Sequence, residues 1–225
     1  MNLQSNTRFG RQKALNLTDR EFSLLKRLRT PQKIQAFLNS IPANHEIGGE
    51  TMWSVREVIR HRSAHCMEGA LVAACALWTN GEPPLVMHLG CAPTDYPHVV
   101  ALFRRADAWG AISKTNGIAL RYRDPIYRSL RELAMSYFHE YFDSRGRRTL
   151  RSYSGAFDLR RVDPTLWVTN DGPCLEVHDR LASLRHYEIV SRRQEPLVSR
   201  RDPFERKAAK LVEYPRLRSR RKRKG

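Results

Sequence analysis

The stretch from His61 to Leu77 constrains this chain more than any other part of it. It reads HRSAHCMEGALVAACAL, so that a polar, histidine-rich approach runs without a proline into an Ala/Leu-rich segment with no charge after Glu68. This pattern predicts a buried helix with Cys66 near its N-terminus. The first amides of a helix and its dipole favour negative charge, which lowers the pKa of a cysteine placed there. The alternative is a small apolar core residue, because free cysteine is among the most buried residue types.

Composition favours one folded domain. The 225 residues, 41% of them hydrophobic, are enough for one buried core. We expect a flexible N-terminal arm at residues 1–13, a single domain at 14–214 and a disordered basic tail at 215–225. Neither a signal-peptide core nor the ~18 apolar residues of a membrane span is present in the sequence. The expectation is therefore a cytoplasmic protein without a membrane span.

The cysteines and the net charge indicate the surroundings and the partners of the chain. Cysteines at 66, 75, 91 and 174 form no Cys-x-x-Cys pair, which suits a reducing compartment and favours neither a disulfide framework nor a zinc site. The net charge of +17 favours an anionic partner such as nucleic acid, unless it is only a solvated surface. The candidate anion-binding residues are the arginine-rich region 145–161 and Arg216, Arg218, Arg220, Arg221, Lys222, Arg223 and Lys224 of the tail.

Capping residues and apolar spacing predict the other elements. Thr18 to Glu21 forms a capping box, Thr30-Pro31 starts a second helix and Trp53 to Ile59 suggests a short third one. After the buried helix the period changes to that of strands. The expected strands are 85–89, 98–103, 109–113, a segment around 157–159, 167–169 and an edge strand at 186–190. Three later helices are also expected: one capped by Asp124-Pro125 with an apolar stripe that reaches Tyr141, one at 175–184, and one from Asp202-Pro203 to about residue 212.

A thiolate nucleophile needs an imidazole to move its proton and a third polar group to orient that imidazole. His98 is the best candidate base, because it begins a strand after a proline-rich loop and can face a cleft. The third group should come from the neighbouring strand of the hairpin, since adjacent strands lie only ~4.8 Å apart. The options there are Ser113, Lys114, Thr115 and Asn116.

The order of these parts resembles the transglutaminase-like superfamily, a branch of the papain-like cysteine-enzyme fold. In that family the nucleophile begins a buried helix, as Cys66 does, and a histidine begins the next strand but one, as in His98-Val99-Val100-Ala101-Leu102-Phe103. The resemblance covers about residues 17–120. It implies an α+β fold in which N-terminal helices and the cysteine-bearing helix pack on an antiparallel sheet.

One position departs from the family pattern. The family places an aspartate about four residues after the tryptophan of the third strand, where this chain has Ser113. Asn116 is a substitute if the strand bulges. The third catalytic group, which should orient His98, is therefore a weak one, comes from elsewhere in the chain, or is missing so that the site is inactive. The resemblance also implies an oxyanion hole at the Cys66 backbone N–H, with Trp53 and His65 as possible side-chain donors.

These features predict an enzyme that hydrolyses an amide or transfers an acyl group through Cys66 and His98, acting on a peptide or amide substrate. The mechanism requires no cofactor and no metal. The alternative is an inactive protein of the same fold that serves as a nucleic-acid-binding or scaffold module through its arginine-rich surface and tail. Glu68 is expected to be a first-turn carboxylate or an ion-pair partner of a nearby arginine.

Overall fold

A computed structural model describes residues 12–47 and 49–215 of the chain. The helices in this part are α1 (Asp19–Arg27), α2 (Pro31–Ser40), α3 (Val55–His61), α4 (Cys66–Thr79), α5 (Leu130–Met135), α6 (Leu175–Ser183) and α7 (Pro203–Ala208). The strands are β1 (Leu85–Cys91), β2 (His98–Arg105), β3 (Ala108–Ile112), β4 (Arg123–Tyr127), β5 (Leu150–Ser154), β6 (Phe157–Asp158) and β7 (His186–Glu188). Short 3₁₀ turns occur at Phe138–Glu140, Leu159–Arg161, Pro164–Leu166 and Glu195–Leu197.

Side-chain caps fix the starts of the N-terminal helices. Thr18 and Glu21 form the predicted capping box of α1, in which each side chain accepts the backbone N–H of the other residue. Thr30 caps α2, and Pro31 occupies the first helical position, where its missing N–H costs nothing. Ser54 caps α3 by accepting the N–H of Glu57. These local signals place three short helices ahead of α4.

Helix α4 is buried on nearly every side. From Met67 to Leu77 each residue is 4% exposed or less, and Glu68 and Gly69 are buried among them. A helix that is apolar all round belongs in a core, because it has no solvent face. It packs on β2 and is enclosed by α1, α2 and α3. The first residue of this central helix is Cys66, as the sequence predicts.

The strands form one antiparallel sheet in the order β4-β3-β2-β1-β5-β7, with β6 also pairing β1. Along β2 the alternate residues Val99, Ala101 and Phe103 face the core around α4. Val100 and Leu102 face a second core that contains Tyr137 and Tyr141. Both faces of the sheet are therefore covered. An α+β fold with a buried helix on an antiparallel sheet is confirmed.

The register of the hairpin brings together the polar residues at its open end. Ala101 of β2 pairs with Ile112 of β3, so Ser113 comes level with Val100 just beyond β3. His98 is two residues before Val100 on the same face, which makes His98 and Ser113 diagonal neighbours.

Four predicted elements need correction. Asp124-Pro125 does not cap a helix but lies within β4, at the edge of the sheet, and Ser129 caps α5 instead. Trp167 to Thr169 forms a turn, in which the Trp167 carbonyl accepts the N–H of Val55 at 3.1 Å. Leu159 belongs to a 3₁₀ turn rather than a strand, and α7 ends at Ala208 instead of near residue 212. The predicted edge strand exists as β7, shortened to three residues.

Residues 1–11 of the predicted N-terminal arm lie outside the described residues, and its last two residues, 12 and 13, are described. Residues 12–14 have helical geometry, and the side chain of Gln12 donates to Asp19 at 2.8 Å. Within residues 12–47 and 49–215, no helix has the length and apolar character required to cross a membrane. The predicted tail from Arg216 to Lys224 lies outside the described residues.

Candidate active site

Cys66 lies where three cavities of about 280, 230 and 200 Å³ meet. His98 lines the first and the third of them, and His65 lines the second and the third. The thiol is partly exposed and lies 4.0 Å from the carbonyl oxygen of Pro97. As the first residue of α4, Cys66 also has a backbone N–H that helix geometry leaves without an intrahelical partner. This arrangement gives a substrate access to the thiol and leaves a backbone donor beside it.

His98 and Ser113 are brought together by the hairpin. The Nε2 atom of His98 lies 2.8 Å from the Ser113 hydroxyl oxygen, and both side chains are buried. The Ser113 hydroxyl donates its own proton to the carbonyl of Leu120 at 2.5 Å. It must therefore accept from His98, which assigns the proton of the neutral ring to Nε2 and leaves Nδ1 as the basic nitrogen. A His98 oriented in this way can accept a thiol proton at Nδ1.

The electrostatics around Cys66 favour the thiolate. Burial alone would raise the pKa of Cys66, but the charge of His98 and the hydrogen bonds of His65 and His98 outweigh it and hold the pKa well below 9.0. In contrast, burial raises the pKa of Cys75 and of Cys174 to about 12, and that of Cys91 to about 11. All four cysteines lie in the described part of the chain. Cys66 is the one of the four whose surroundings lower the pKa of its thiol.

His65 and Glu68 form a second polar pair at the start of α4. His65 caps the helix by accepting the N–H of Met67 at Nδ1 over 3.2 Å, and the carboxylate of Glu68 accepts the N–H of His65 at 2.8 Å. The other ring nitrogen, Nε2, is 3.2 Å from Glu68 Oε1 and 3.6 Å from Glu46 Oε1. No described group makes an aligned hydrogen bond to this nitrogen. The contact with Glu68 is thus an ion-pair contact between a buried carboxylate and an imidazole.

Glu68 is completely buried and is held by donors from the loop before α3. Its Oε1 accepts the Thr51 hydroxyl at 2.6 Å and the Trp53 backbone N–H at 2.9 Å, and both oxygens lie 3.1 Å from the Asn44 amide nitrogen. Burial raises the pKa of Glu68, but the hydrogen bond and charge of His65 and these donors lower it below 4.5. The carboxylate therefore stays ionised. Glu68 contacts a histidine and backbone amides, not the arginine that the sequence suggested as a partner.

Asn116 does not contact His98. Its side chain pairs with the backbone of Tyr214, donating to the carbonyl at 2.9 Å and accepting the N–H at 2.8 Å. The Tyr214 hydroxyl in turn donates to the carbonyl of Asn39 at 2.5 Å. Asn116 thus fastens the chain near residue 214 beside the 200 Å³ cavity, and in this structure its amide is bonded to Tyr214, whereas Ser113 is bonded to His98. Thr115 lines the cleft, and its hydroxyl accepts the N–H of Gly117 at 3.3 Å.

Lys114 is a buried lysine directly after Ser113. Its ammonium donates to the carbonyls of Leu38 at 2.9 Å and Ile41 at 2.6 Å, at the C-terminal end of α2. Burial lowers the pKa of Lys114 to about 8, although the charge of Glu213 opposes the shift. The Lys114 side chain also packs against Gly69 of α4, where an added Cβ would overlap its Cβ and come within 3.1 Å of its Cγ. Lys114 therefore holds the end of the hairpin against α2 and α4.

The loop between β1 and β2 forms the ridge over the thiol. Tyr96 and Pro97 line the two largest cavities beside Cys66, and Tyr96 is 86% exposed. The Tyr141 hydroxyl donates to the Tyr96 carbonyl, and Asp95 accepts the hydroxyl of Thr149 at 2.5 Å. These bonds anchor the loop to the second core. A substrate crossing from one cavity to the other would pass the thiol at this ridge.

Sequence reasoning missed the pairing of His65 with Glu68. The signal was present in the spacing His65-Cys66-Met67-Glu68, which is that of a capping box with histidine in place of serine or threonine. The donors from Asn44, Thr51 and Trp53 have no such signal, because they reach Glu68 from a loop more than ten residues earlier. Trp53 contributes its backbone N–H there, and its ring stacks on His61 at 4.4 Å.

Most arginines of the 145–161 region have carboxylate partners within the protein. Arg147 pairs with Asp143 at 2.7 Å, Arg148 with Glu205 at 3.3 Å and Arg151 with Glu195 at 2.7 Å; Arg160 pairs with Asp158. Arg148 is also largely buried. This part of the positive charge is therefore used in the fold.

A scan against protein-family models gave no match to this chain, and a search of the curated proteins gave none either.

Proposed function

We propose that this protein is a cysteine enzyme of transglutaminase-like type that hydrolyses an amide or transfers its acyl group through Cys66 and His98. The observation that carries the proposal is a thiol with a lowered pKa at the junction of three cavities, two of which are also lined by a histidine whose Nε2 is held by Ser113. Three separate parts of the chain supply these residues, whereas packing alone requires neither an ionised thiol nor an oriented imidazole.

In the first step the Cys66 thiolate attacks the carbonyl carbon of the amide. The S–C bond forms while the π electrons of the carbonyl move to oxygen, and the oxyanion is stabilised by the backbone N–H of Cys66. When the intermediate collapses, the C–N bond breaks and the amine leaves with a proton from Nδ1 of His98. Water or a second amine then attacks the thioester, gives its proton to His98 and releases the thiolate. Ser113 holds the ring but supplies no charge to its protonated form.

The alternative, an inactive scaffold or nucleic-acid-binding module, rests on net charge. The ion pairs of Arg147, Arg148 and Arg151 reduce the support from the arginine-rich region. A salt titration of binding to a duplex oligonucleotide would test this alternative, because phosphate contacts make affinity fall steeply with salt.

The proposal is tested by alkylation with iodoacetamide at neutral pH, followed by peptide mapping of all four cysteines. We expect Cys66 to react at least tenfold faster than Cys91, which is also partly exposed but has a pKa of about 11. The variants C66A and C91A are the matched pair: the first should abolish the fast reaction and the second should leave it unchanged. Equal rates at Cys66 and Cys91 in the folded protein would contradict the proposal.

A second measurement separates the two reactions. A glutamine-containing peptide is supplied with a fluorescent primary amine, and both the ammonia released and the fluorescence incorporated are measured. Hydrolysis releases ammonia alone, whereas acyl transfer incorporates the amine in equal amount. C66A should abolish both signals.

A further inference from the structure

Two imidazoles border the cavities around the Cys66 thiol, and the mechanism above uses only one of them. His98 and His65 both lie beside Cys66 in these cavity walls, and each lowers the pKa of the thiol. His98 is backed by the uncharged hydroxyl of Ser113, whereas His65 is backed by the carboxylate of Glu68. The negative charge that is missing behind His98 is therefore present behind the other imidazole.

The orientation of the His65 ring is set from two sides. Its Nε2 lies 3.2 Å from Glu68 Oε1, and its Nδ1 lies 3.2 Å from the N–H of Met67, in the first turn of α4. Nδ1 is thus the nitrogen on the side of the ring where Cys66 follows in the chain. When the ring carries both protons, its Nδ1 no longer accepts the N–H of Met67, and its Nε2–H faces the carboxylate of Glu68.

Charge favours this doubly protonated state. Burial lowers the pKa of His65, but hydrogen bonds and charges from Cys66 and Glu68 raise it to about 10. The donors that surround Glu68 keep the carboxylate ionised without neutralising its charge. A cation between Cys66 and Glu68 then compensates both negative charges.

We propose that His65, held by Glu68, is a second imidazole of the site, which keeps the Cys66 thiol ionised before substrate binds and leaves His98 free to transfer the proton. This inference rests on the proposed function, since it assigns a resting state to the same nucleophile. The inference also explains how the site can act with the uncharged Ser113 at the position where the transglutaminase-like family has an aspartate.

Other titratable groups also face the thiol from the cavity walls. The carboxylates among them are Glu46, Glu50, Asp95 and Glu140, and each disfavours the thiolate by its charge. The bases are His45, His88, His178 and Lys114. Burial lowers the pKa of His88 to about 4, and the ammonium of Lys114 is bound by two carbonyls. The two imidazoles that line the cavities beside Cys66, those of His65 and His98, are therefore the main source of the lowered thiol pKa.

The test is the pH dependence of Cys66 alkylation by iodoacetamide in the full chain, in wild type and in His65→Asn, His98→Asn and His178→Asn. Asparagine is a preferred N-cap residue, so His65→Asn keeps a cap on α4 while removing the imidazole. Urea unfolding of each variant checks that the fold is retained. His178 lines the 230 Å³ cavity, and no described interaction links it to the thiol, so His178→Asn is the matched control.

If His65 holds the thiolate, His65→Asn moves the alkylation profile to higher pH. The rate at about pH 6 then falls about tenfold for each unit by which the thiol pKa rises, and it converges with wild type at alkaline pH. His98→Asn should also move the profile, and His178→Asn should not. A helix cap without a role at the thiol would leave the profile in place.

The two proposals fail in different ways. A wild-type Cys66 that reacts no faster than Cys91 overturns the proposed function and this inference together. A fast Cys66 whose profile depends on His98 but coincides in wild type and His65→Asn overturns this inference alone. A pH profile of Cys66 alkylation whose midpoint is shifted in His65→Asn, while the limiting rate at alkaline pH is unchanged, supports the inference.

Discussion

Lys114 offers a test of the packing that fixes the third strand beside the nucleophile. Its side chain is 1% exposed, and burial lowers its pKa from 10.5 to about 8. The folded protein therefore binds this proton less tightly than the unfolded chain. Below about pH 8 both states are protonated and the full cost of burying the ammonium is present, whereas between about pH 8 and 10.5 the cost is relieved and stability rises with pH.

The magnitude follows from the size of the shift. One pKa unit corresponds to about 1.4 kcal/mol, so the cost is about 3 kcal/mol at pH 7 and about 1.4 kcal/mol at pH 9.5. In Lys114→Met this pH dependence is removed, because methionine has no proton to lose. The free energy of unfolding of wild type minus that of the variant should therefore rise by about 2 kcal/mol between pH 7 and pH 9.5.

Urea unfolding of both proteins at the two pH values measures this difference. Tyrosines and cysteines that titrate at high pH are present in both proteins, so their effects cancel. Lys207 is exposed on α7, and Lys207→Met serves as the control that removes an ammonium from the surface. A difference between wild type and Lys114→Met that stays constant with pH would refute the argument that the Lys114 ammonium is desolvated.

Two further changes test the contacts around the site. Gly69→Ala places a Cβ against the side chain of Lys114 and should lower the free energy of unfolding by about 1–3 kcal/mol in urea titrations. The control is Gly155→Ala, where a Cβ meets nothing within 4 Å and the free energy of unfolding should change by less than about 0.5 kcal/mol. Equal losses of stability in the two variants would contradict the packing argument. Ser113→Ala removes the hydroxyl that accepts the hydrogen bond of His98 Nε2. Alkylation of the Cys66 thiol should then be about tenfold slower at neutral pH, which corresponds to the loss of one hydrogen bond, and unchanged at alkaline pH. An unchanged rate at neutral pH would exclude a role for this hydroxyl.

The parts of the fold with local signals could be predicted. The capping box at Thr18 and the charge-free segment after Glu68 specify α1 and α4 by themselves, and two apolar runs joined by a short polar turn indicate the β2–β3 hairpin. The helix predicted after Asp124-Pro125 was wrong because this pair occurs both at the start of a helix and in an edge strand. Only the position of β4 at the edge of the sheet decides between the two structures. The turn at Trp167 has no local signal, since its carbonyl bonds Val55 more than a hundred residues away.

The candidate site divides in the same way. Cys66, His98 and Ser113 lie on elements whose order and register follow from the sequence, so their proximity could be anticipated. Glu68 could not be assigned, because its donors come from a loop that only the folded chain brings to it. The bond of the Asn116 amide to Tyr214 could not be predicted either, because Tyr214 is 98 residues further along the chain.

The close approach of Gly69 and Lys114 also determines how α4 is rotated about its own axis. A helix that is apolar on every side has no hydrophobic stripe to select one rotation, so another feature must do so. At Gly69 the hairpin end approaches this face of the helix closely, because no side chain of the helix lies between them. Cys66 is three residues earlier and lies on the same face. The direction in which the Cys66 side chain points is thus set by the absence of a side chain one turn away from it.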